Sequence, residues 1–492
     1  MDKKPGTTLA RHLGLGALTA TGICSMVGAS IHVVPFMIQK HVPGLGTDVL
    51  PAFLIAALPA FLSAMAYAAL GTAMPRAGGS YLYVSRGLSP FAGFMASFSQ
   101  WFGLSIVIGV VAYIIPDFLR DLAVAFGWTE TAEIITGSVV RPLLALTILW
   151  IFVGVNLVGG TTYSRVLMPM MWAMFILGAI VIIAGMFYDH FDFLRGLWQQ
   201  ERRVFVFENE PQAGDRWLRL MSAGAVLFAS FIGFDSIAQA GGEARDPRRT
   251  IPRATILALV SVTAFYLLFT TSAYHMIPAS FIAEEAQVRD LTAPGLLGYV
   301  LPVGWTVAIL AGATVALLND LPGMILSVSR LLYAWACDGL FPTRFKRISD
   351  VRQTPHNAIL GSACVASAGI IGSHLASDFF LGIDIMVTSM MVNFMLIAVT
   401  LLNLPRRNPE IQQRMTWLTG AAARKVTGWS AIVILAVFLM MHTRRDLQAN
   451  GPWYIHSTWI WTLVMAAGAT VYFVREKTGK INHDLFRKLP DQ

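Results

Sequence analysis

An apolar stretch near the middle of the chain contains the two residues with the clearest potential for chemistry. Gly233 and Asp235 lie inside a run from Leu220 to Ala240 that is long enough to cross a bilayer. A charge at the centre of a spanning helix costs about 2.5–3.5 kcal/mol, and glycine weakens a helix by about 1 kcal/mol relative to alanine. We therefore expect an interrupted helix whose freed backbone groups line the water-filled cavity of a solute pathway. A carboxylate that is merely paired with a neighbouring helix is the alternative.

A second interruption of the same kind lies in the first apolar run. Small and polar residues fill the segment from Gly22 to Ser30, where a lipid-facing helix would carry leucine. The ends of two half-helices present unpaired N–H and carbonyl groups, which suit the carboxylate and ammonium groups of an amino acid. Gly28 alone is also consistent with tight helix packing. The predicted substrate-binding residues are Val27, Gly28, Ala29, Ser30, Ile31, Phe231, Ile232, Gly233 and Phe234.

Three ionisable residues at membrane depth are candidates for proton or cation coupling. Asp235 lies next to the second interruption, Asp320 lies two residues before Pro322, and His32 follows the first interruption. Histidine exchanges a proton near physiological pH, and intramembrane carboxylates mark ion pathways. A hydrogen-bonded structural role remains open for His32 and Asp320, and Asp320 could instead bind a substrate amine.

The loop after the second interruption carries charges of both signs. Glu243 is followed by Arg245, Arg248, Arg249 and Arg253, which predicts an ion-pair cluster. We interpret Glu243, Arg245 and Arg248 as candidates for a cytoplasmic gate, because such pairs separate when an inner vestibule opens. A solvated loop charge is the alternative.

The composition indicates an all-α polytopic membrane protein. The 492 residues are 55% hydrophobic and 13% charged, whereas soluble domains contain about 25% charged residues. Twelve apolar runs of about spanning length occur, and we predict about 12 transmembrane helices. Most Lys and Arg residues fall in alternate loops, so the net charge of +8 follows the positive-inside rule and needs no nucleic-acid partner. This pattern predicts a multi-pass protein of the plasma (inner) membrane with both termini in the cytoplasm.

The two interruptions also predict how the chain is organised. Interrupted helices 1 and 6 run in opposite directions five spans apart, which is typical of an inverted repeat. We expect one transporter domain over 1–492, with a first repeat at 14–187 (helices 1–5) and a second at 218–403 (helices 6–10). Helices 11 and 12 and a cytoplasmic tail would occupy 404–492. The arrangement is a five-plus-five fold.

Motifs for cofactors, metals or catalysis are missing from the sequence. Cys24, Cys337 and Cys364 have no metal-ligand spacing, and the ten histidines form no zinc motif. There is no phosphate-binding Gly-Lys-Ser/Thr loop to indicate an ATP-driven pump. We therefore predict no enzymatic activity and no cofactor.

Four motifs in this order resemble those of amino acid permeases of the amino acid–polyamine–organocation superfamily. They are Pro75-Arg76-Ala77-Gly78-Gly79-Ser80-Tyr81 with Phe91-Ala92-Gly93-Phe94, Gly233-Phe234-Asp235 with Glu243-Ala244-Arg245-Asp246-Pro247, Ser329-Arg330-Leu331-Leu332-Tyr333-Ala334 with Asp338-Gly339-Leu340-Phe341-Pro342, and Thr354-Pro355-His356-Asn357-Ala358. The resemblance covers about residues 14–475 and implies alternating access and transport of amino acids or related amines. The chain departs from it at Ser30 and His32, where the family commonly has glycine and phenylalanine. It also lacks the lysine that proton-coupled relatives often carry in span five.

These observations predict secondary active transport of an amino acid or related small amine, either proton-coupled or by exchange. A polyamine or organocation carrier is the alternative if Asp235 and Asp320 both face the cavity. A sensor that binds an amino acid without transporting it is a further alternative, although no signalling domain is visible. Besides the substrate, the expected partners are a proton or cation and the lipid bilayer.

Overall fold

The computed structural model describes residues 11–206, 215–376, 379–449 and 452–478, together with residues 486 and 489. Across these residues the secondary structure is helical, and the β-type pairing recorded is one isolated bridge between Leu13 and Ala244. The predicted cytoplasmic positions of the two chain ends concern residues outside the described ranges. The all-α architecture predicted from the composition is confirmed.

The described residues of the first half of the chain form ten α-helices. They are α1 (Leu15–Cys24), α2 (Ala29–His32), α3 (Val34–His41), α4 (Val49–Ala73), α5 (Gly79–Gly87), α6 (Pro90–Ala125), α7 (Thr129–Thr136), α8 (Val140–Val158), α9 (Gly160–Ala184) and α10 (His190–Glu201). Helix α6 begins where Ser89 accepts a hydrogen bond from the Ala92 N–H at 3.1 Å and proline occupies the first helical position. Both features favour a helix start.

From residue 215 onward, the part of the chain that the structure describes forms eleven more α-helices. They are α11 (Arg216–Leu227), α12 (Ser236–Gln239), α13 (Pro247–Met276), α14 (Ala279–Val288), α15 (Ala293–Leu297), α16 (Val303–Cys337), α17 (His356–Ala376), α18 (Phe379–Arg407), α19 (Pro409–Gln412), α20 (Ala421–Gln448) and α21 (Ser457–Lys477). Helix α16 has 35 residues and continues through Pro322. At 1.5 Å per residue its length is about 52 Å, which exceeds the roughly 30 Å hydrocarbon core of a bilayer.

Eleven helical segments within the described residues are long and apolar enough to cross a membrane. The segment from Arg216 to Glu243 counts as one of them, although it contains the second interruption. The first predicted span is not among the eleven, because its interruption leaves α1 with ten residues. The predicted count of about twelve spans is reached when α1 and the helices after the first interruption are counted together as one more span.

The interrupted helices lie inside the bundle, where continuous helices surround them. Helix α1 packs against α9, α13 and α16, while α6 packs against α16, α17 and α18. Large apolar side chains such as Leu54, Trp172 and Val433 point away from the bundle and are more than half exposed. Side chains of this kind would contact lipid in a membrane protein. The polar and irregular backbone is thus placed away from the surface that lipid would cover.

Candidate substrate site at the helix interruptions

Both predicted interruptions are present, and they contact each other. Helix α1 ends at Cys24 and α2 begins at Ala29, which leaves 25–28 without helical structure. Gly233 lies in the second interruption with a φ of +137°, a conformation that side chains rarely allow. A Cβ atom on Gly233 would lie 2.1 Å from the carbonyl oxygen of Ser25. Glycine is required at this position because the two backbones meet there.

One tyrosine hydroxyl joins the freed carbonyl groups of the two interruptions. The Tyr266 hydroxyl, from α13, lies 2.6 Å from the Met26 oxygen and 3.0 Å from the Ser230 oxygen. Ser236 donates a hydrogen bond of 2.6 Å to the Gly233 oxygen. These contacts satisfy carbonyl groups that an uninterrupted helix would pair internally. The interruptions are therefore stabilised as part of the folded structure.

A small buried cavity of about 30 Å³ lies where the two interruptions face α6, α16 and α18. A single water molecule needs roughly 10–15 Å³ by the same measure. The cavity is thus large enough for solvent, and its walls must separate to admit a solute of several heavy atoms. The lining residues are Ser25, Met26, Val34, Val107, Val111, Ala229, Ile232, Asp320, Met324, Ile383 and Met386.

Asp320 reaches this cavity from the middle of α16. Its side chain lies so close to Gly28 that a Cβ atom there would be 1.7 Å from Asp320 Oδ2. Asp320 is 4% exposed, and its Oδ1 atom has no hydrogen-bond partner among the described residues. The first interruption and Asp320 therefore form one site, with a carboxylate oxygen available to a ligand.

Asp235 lies in a different environment, a buried cluster of polar side chains that we call the Asp235 network. Its members are Tyr67, Ser80, Gln100, Asp235, Gln239 and Asn393. The Gln100 amide donates to Asp235 Oδ2, and the Gln100 oxygen accepts from Ser80 and from Gln239. One oxygen each on Asp235, Gln239 and Asn393 has no hydrogen-bond partner within the described part of the chain. The network joins five helices and still lacks hydrogen-bond donors.

The nine predicted binding residues divide into four groups. Of the nine, Ile232 lines the cavity, Gly28 and Gly233 provide the close contacts described above, and the side chains of Ala29 and Ser30 lie outside the described structure. Val27, Ile31, Phe231 and Phe234 are buried beside the cavity without lining it. Phe234 packs on the rings of Tyr67 and Phe394 at 5.8 and 5.0 Å, so it faces the Asp235 network.

Within the described residues, no hydrogen bond or ion pair joins His32 to Asp235 or Asp320. His32 is 3% exposed and packs edge-on against Phe269 at 5.4 Å between ring centroids. Its Nδ1 atom has no hydrogen-bond partner in the described structure, and the residue does not line the central cavity. The coupling role of His32 therefore stays a prediction.

The predicted partners of Glu243 are wrong. Arg245 and Arg248 are exposed, whereas Glu243 is 3% exposed and accepts a 2.6 Å hydrogen bond from Arg330 of α16. The backbone oxygen of Glu243 also accepts hydrogen bonds from the N–H groups of His12 and Leu13. The reason is that the chain turns after Glu243 and directs the loop arginines to solvent. A buried pair between the second interrupted segment and α16 replaces the predicted loop cluster.

A second buried ion pair lies at the same end of the bundle. Arg86 of α5 forms two hydrogen bonds with Asp338, and the Tyr81 hydroxyl donates to Asp338 at 2.7 Å. Burial alone would lower the pKa of the Arg86 guanidinium, but the adjacent Asp338 carboxylate outweighs this and raises the pKa. Arg86 therefore remains charged and paired. We call the end that contains Glu243–Arg330 and Arg86–Asp338 the closed end.

The opposite end contains a vestibule of about 770 Å³ between α3, α6, α8 and α15. It includes Asp117 and Arg141, which form an ion pair at 2.5 Å, and it reaches Val33 and Val110. Val34 and Val111, the next residues along the chain, line the central cavity. Burial lowers the pKa of His41 in the vestibule to about 4, and nearby Arg445 contributes. His41 is therefore neutral at physiological pH.

Sequence reasoning missed several residues that the structure places at the site. Ser25 and Met26 lie in the predicted interruption and line the cavity, while Gln100, Ser80, Tyr67 and Asn393 surround Asp235. Gln100 and Asn393 are polar residues within apolar spans, the same signal that identified Asp235. Among the described residues, no group of three or more His, Cys, Asp or Glu side chains could hold a metal ion.

Comparisons with known proteins agree with this architecture. A family model described as amino acid permease matches residues 13–467. Human cationic amino acid transporter 4 is 26% identical over 358 residues, covering 72% of this chain and 54% of that protein. The branched-chain amino acid permease BcaP of Lactococcus lactis is 26% identical over 426 residues, covering 80% of this chain and 83% of that protein. The chain spans about half the length of the cationic transporter.

The family model covers nearly the whole chain, and the similar proteins are transporters, which points away from an enzyme. Eleven apolar helical segments within the described residues make the protein a multi-pass integral membrane protein. The resemblance seen in the four sequence motifs is thereby confirmed. The chain belongs to the amino acid permease family, within the amino acid–polyamine–organocation superfamily.

Proposed function

We propose that this chain is a secondary active carrier that moves an amino acid or a related small amine by alternating access. One observation carries the proposal. Two interrupted helices meet at a buried cavity that has a vestibule at one end and two buried ion pairs at the other. Such an arrangement suits a carrier because a solute can enter from one side before the other side opens. The relatives are named for the transport of cationic or branched-chain amino acids, which supports the substrate class.

The proposed organisation is the five-plus-five inverted repeat, with repeats at 14–187 and 218–403. The closed end would face the cytoplasm of the plasma (inner) membrane, as the positive-inside pattern predicts. The site would comprise Gly28, Gly233, Ile232 and Asp320, and Glu243–Arg330 would act as a gate. In this arrangement the vestibule would face the outside, and the walls of the central cavity would separate to admit the solute.

We further propose that Asp235 carries the coupling proton. Three oxygen atoms of its network lack hydrogen-bond donors, and a proton on Asp235 would supply one donor where it is needed. The network lies between the central site and the closed end, since Gln239 and Glu243 belong to the same segment. Loading and release of the proton would thereby be linked to opening of that end.

The condition for the polyamine alternative is not met, because Asp320 lines the cavity and Asp235 does not. A substrate with two separated cations would find one carboxylate there. The sensor alternative predicts binding without movement, so one experiment separates it from transport. Purified protein in liposomes should accumulate a radiolabelled amino acid or amine, and accumulation should stop when the gradients collapse. Saturable binding without any uptake or counterflow would contradict the proposal.

A further inference from the structure

The walls of the central cavity are mostly hydrocarbon. Val107 and Val111 of α6 face Ile383 and Met386 of α18, and Ile232 closes the side formed by the second interruption. Side chains of this kind offer no hydrogen bond to a polar or charged group, and such a group loses its hydration when it enters. The walls therefore select a ligand whose body is uncharged and apolar.

One ionisable group interrupts these walls. Among the described residues that line the cavity, Asp320 is the one with an ionisable side chain, and no lysine or arginine is present beside it. Its Oδ1 atom is buried and has no hydrogen-bond partner in the described structure. A carboxylate in this position is strongly stabilised by a cation that donates hydrogen bonds. An ammonium group meets both requirements.

Gly28 determines how closely this carboxylate approaches the interrupted backbone. The space that a Cβ atom would occupy at residue 28 is filled by Asp320 Oδ2. The carboxylate is thereby held beside Ser25 and Met26, at the boundary between the first interruption and the hydrocarbon walls. An ammonium group bound to Oδ1 would leave the rest of a short molecule against Val107, Val111 and Ile383.

We propose that Asp320 binds the ammonium group of the substrate, and that the apolar walls restrict the substrate to a small molecule with an aliphatic body. This inference rests on the proposed function and specifies its substrate class. A second cation would find no second carboxylate among the lining residues, and an anionic side chain would add charge beside Asp320. Neutral aliphatic amino acids and carboxylate-free aliphatic amines share the required chemistry, whereas cationic and acidic amino acids do not.

The test compares valine with molecules that lack one of its groups. Binding of radiolabelled valine and isobutylamine to the purified full-length protein is measured directly, with 3-methylbutanoate, lysine and glutamate as competitors. Isobutylamine lacks the carboxylate, and 3-methylbutanoate lacks the ammonium group. We expect valine, isobutylamine or both to bind, and 3-methylbutanoate, lysine and glutamate to compete at least 10-fold less well. Binding of valine alone identifies an amino acid as substrate, and binding of isobutylamine alone identifies an amine. Either result supports the role of Asp320.

Two substitutions test the residue itself. Asp320→Asn should weaken binding by about 10- to 100-fold, since a hydrogen bond to a charged group is lost. Asp189→Asn is the matched control, because Asp189 caps α10 in an exposed position far from the cavity, and it should leave binding unchanged. Val107→Asp places a second carboxylate in the wall and should raise the affinity for lysine at least 10-fold. Size-exclusion profiles identify any variant that fails to fold, and the two variants test the proposal independently.

Several outcomes would overturn the inference. If Asp320→Asn folds and binds valine or isobutylamine with an affinity within 2-fold of the wild type, Asp320 has no role in binding. If 3-methylbutanoate competes as well as valine does, the proposed substrate class is wrong. The same holds if the wild type binds lysine or glutamate preferentially. In both cases the proposal of transport still stands. If no compound in the set is bound or moved, the proposed function fails together with this inference.

Discussion

Asp235 and Asp320 are both buried carboxylates at membrane depth, but their surroundings differ. Asp235 is hydrogen-bonded to Gln100 within a network of amide and hydroxyl groups from five helices. Asp320 faces a cavity with hydrocarbon walls and touches the backbone of the first interruption at Gly28. The difference indicates that the role of a carboxylate in an apolar span depends on the side chains that surround it.

The two environments suit two different tasks. A group that binds the substrate must be open to the cavity, and Asp320 meets this condition. A group that carries a coupling proton must respond to the opening of the bundle, and Asp235 is joined to the helices that would move. We therefore propose recognition for Asp320 and coupling for Asp235, and this proposal fails if the two residues prove interchangeable.

The largest effect is expected from a methyl group at residue 28. Gly28→Ala places a Cβ atom where Asp320 Oδ2 lies, so the carboxylate must leave its position beside the first interruption. We expect substrate affinity to fall about 100-fold, or ~3 kcal/mol, because overpacking and a lost charged hydrogen bond combine. Any pH dependence of the remaining uptake should persist, since Asp235 is untouched. Equilibrium binding and uptake at two pH values measure both quantities.

The matched control for this change is Gly154→Ala in α8, where a new Cβ atom would meet no atom within 4 Å. That variant should bind substrate as the wild type does. If Gly28→Ala protein is folded and binds normally, the contact between Gly28 and Asp320 has no role in recognition. The contrast between the two carboxylates would then lose its structural basis.

The second prediction concerns coupling. Asp235→Asn keeps an oxygen that can accept from Gln100 but removes the titratable group. We expect uptake to lose its dependence on an imposed proton gradient, while substrate affinity changes by less than about 5-fold, or ~1 kcal/mol. Uptake into liposomes with an acidic exterior, with and without a protonophore, gives the measurement. Gln100→Leu is the companion variant, and it should retain a pH-dependent response because Asp235 remains.

The outcome of the coupling experiment has a direct interpretation. If wild-type uptake is indifferent to both proton and sodium gradients, the protein is an exchanger or facilitator and Asp235 has a structural role. If Asp320→Asn removes the pH dependence and Asp235→Asn does not, the two roles are reversed. Either result would contradict the assignment drawn from the surroundings of the two residues.

The sequence predicted the features that depend on local composition. Gly28 and Gly233 identified both interruptions, because glycine and polar residues are costly in an otherwise apolar span. Asp235 and Asp320 were identified by the same argument. His32 was predicted either as a coupling residue or as a hydrogen-bonded structural residue, and its packing against Phe269 was not predicted.

Features that depend on contacts between distant residues were not predictable. Arg330, the partner of Glu243, lies in a different helix, and the loop arginines that stand closer in sequence point to solvent. Likewise, the approach of Asp320 to Gly28 is a product of how α16 packs against α1. A single sequence specifies which residues are unusual, and the packing of helices decides which of them meet.

The smallest of the three effects is expected at the closed end, where one ion pair joins the two elements that carry the carboxylates. Glu243 follows Asp235 in its segment, and Arg330 follows Asp320 in α16. Glu243→Gln leaves Arg330 buried without a charged partner, and a lost buried pair destabilises by about 3–5 kcal/mol. If the closed end opens, the unpaired Arg330 can relax, and this should offset most of that cost. We expect the equilibrium to shift toward the open form by about 5-fold, or ~1 kcal/mol.

Cys337 provides a native probe for this shift, because it is partly buried at the closed end next to Asp338. With Cys24 and Cys364 replaced by alanine, a membrane-permeant thiol reagent should modify Cys337 faster in Glu243→Gln than in the wild type. The control is Asp246→Asn, which removes an exposed pair with Arg249 at 3.9 Å and should change the rate little. Equal rates in Glu243→Gln and the control would show that the buried pair does not hold the two segments together. The contact between the segment that carries Asp235 and the helix that carries Asp320 would then depend on other parts of the bundle.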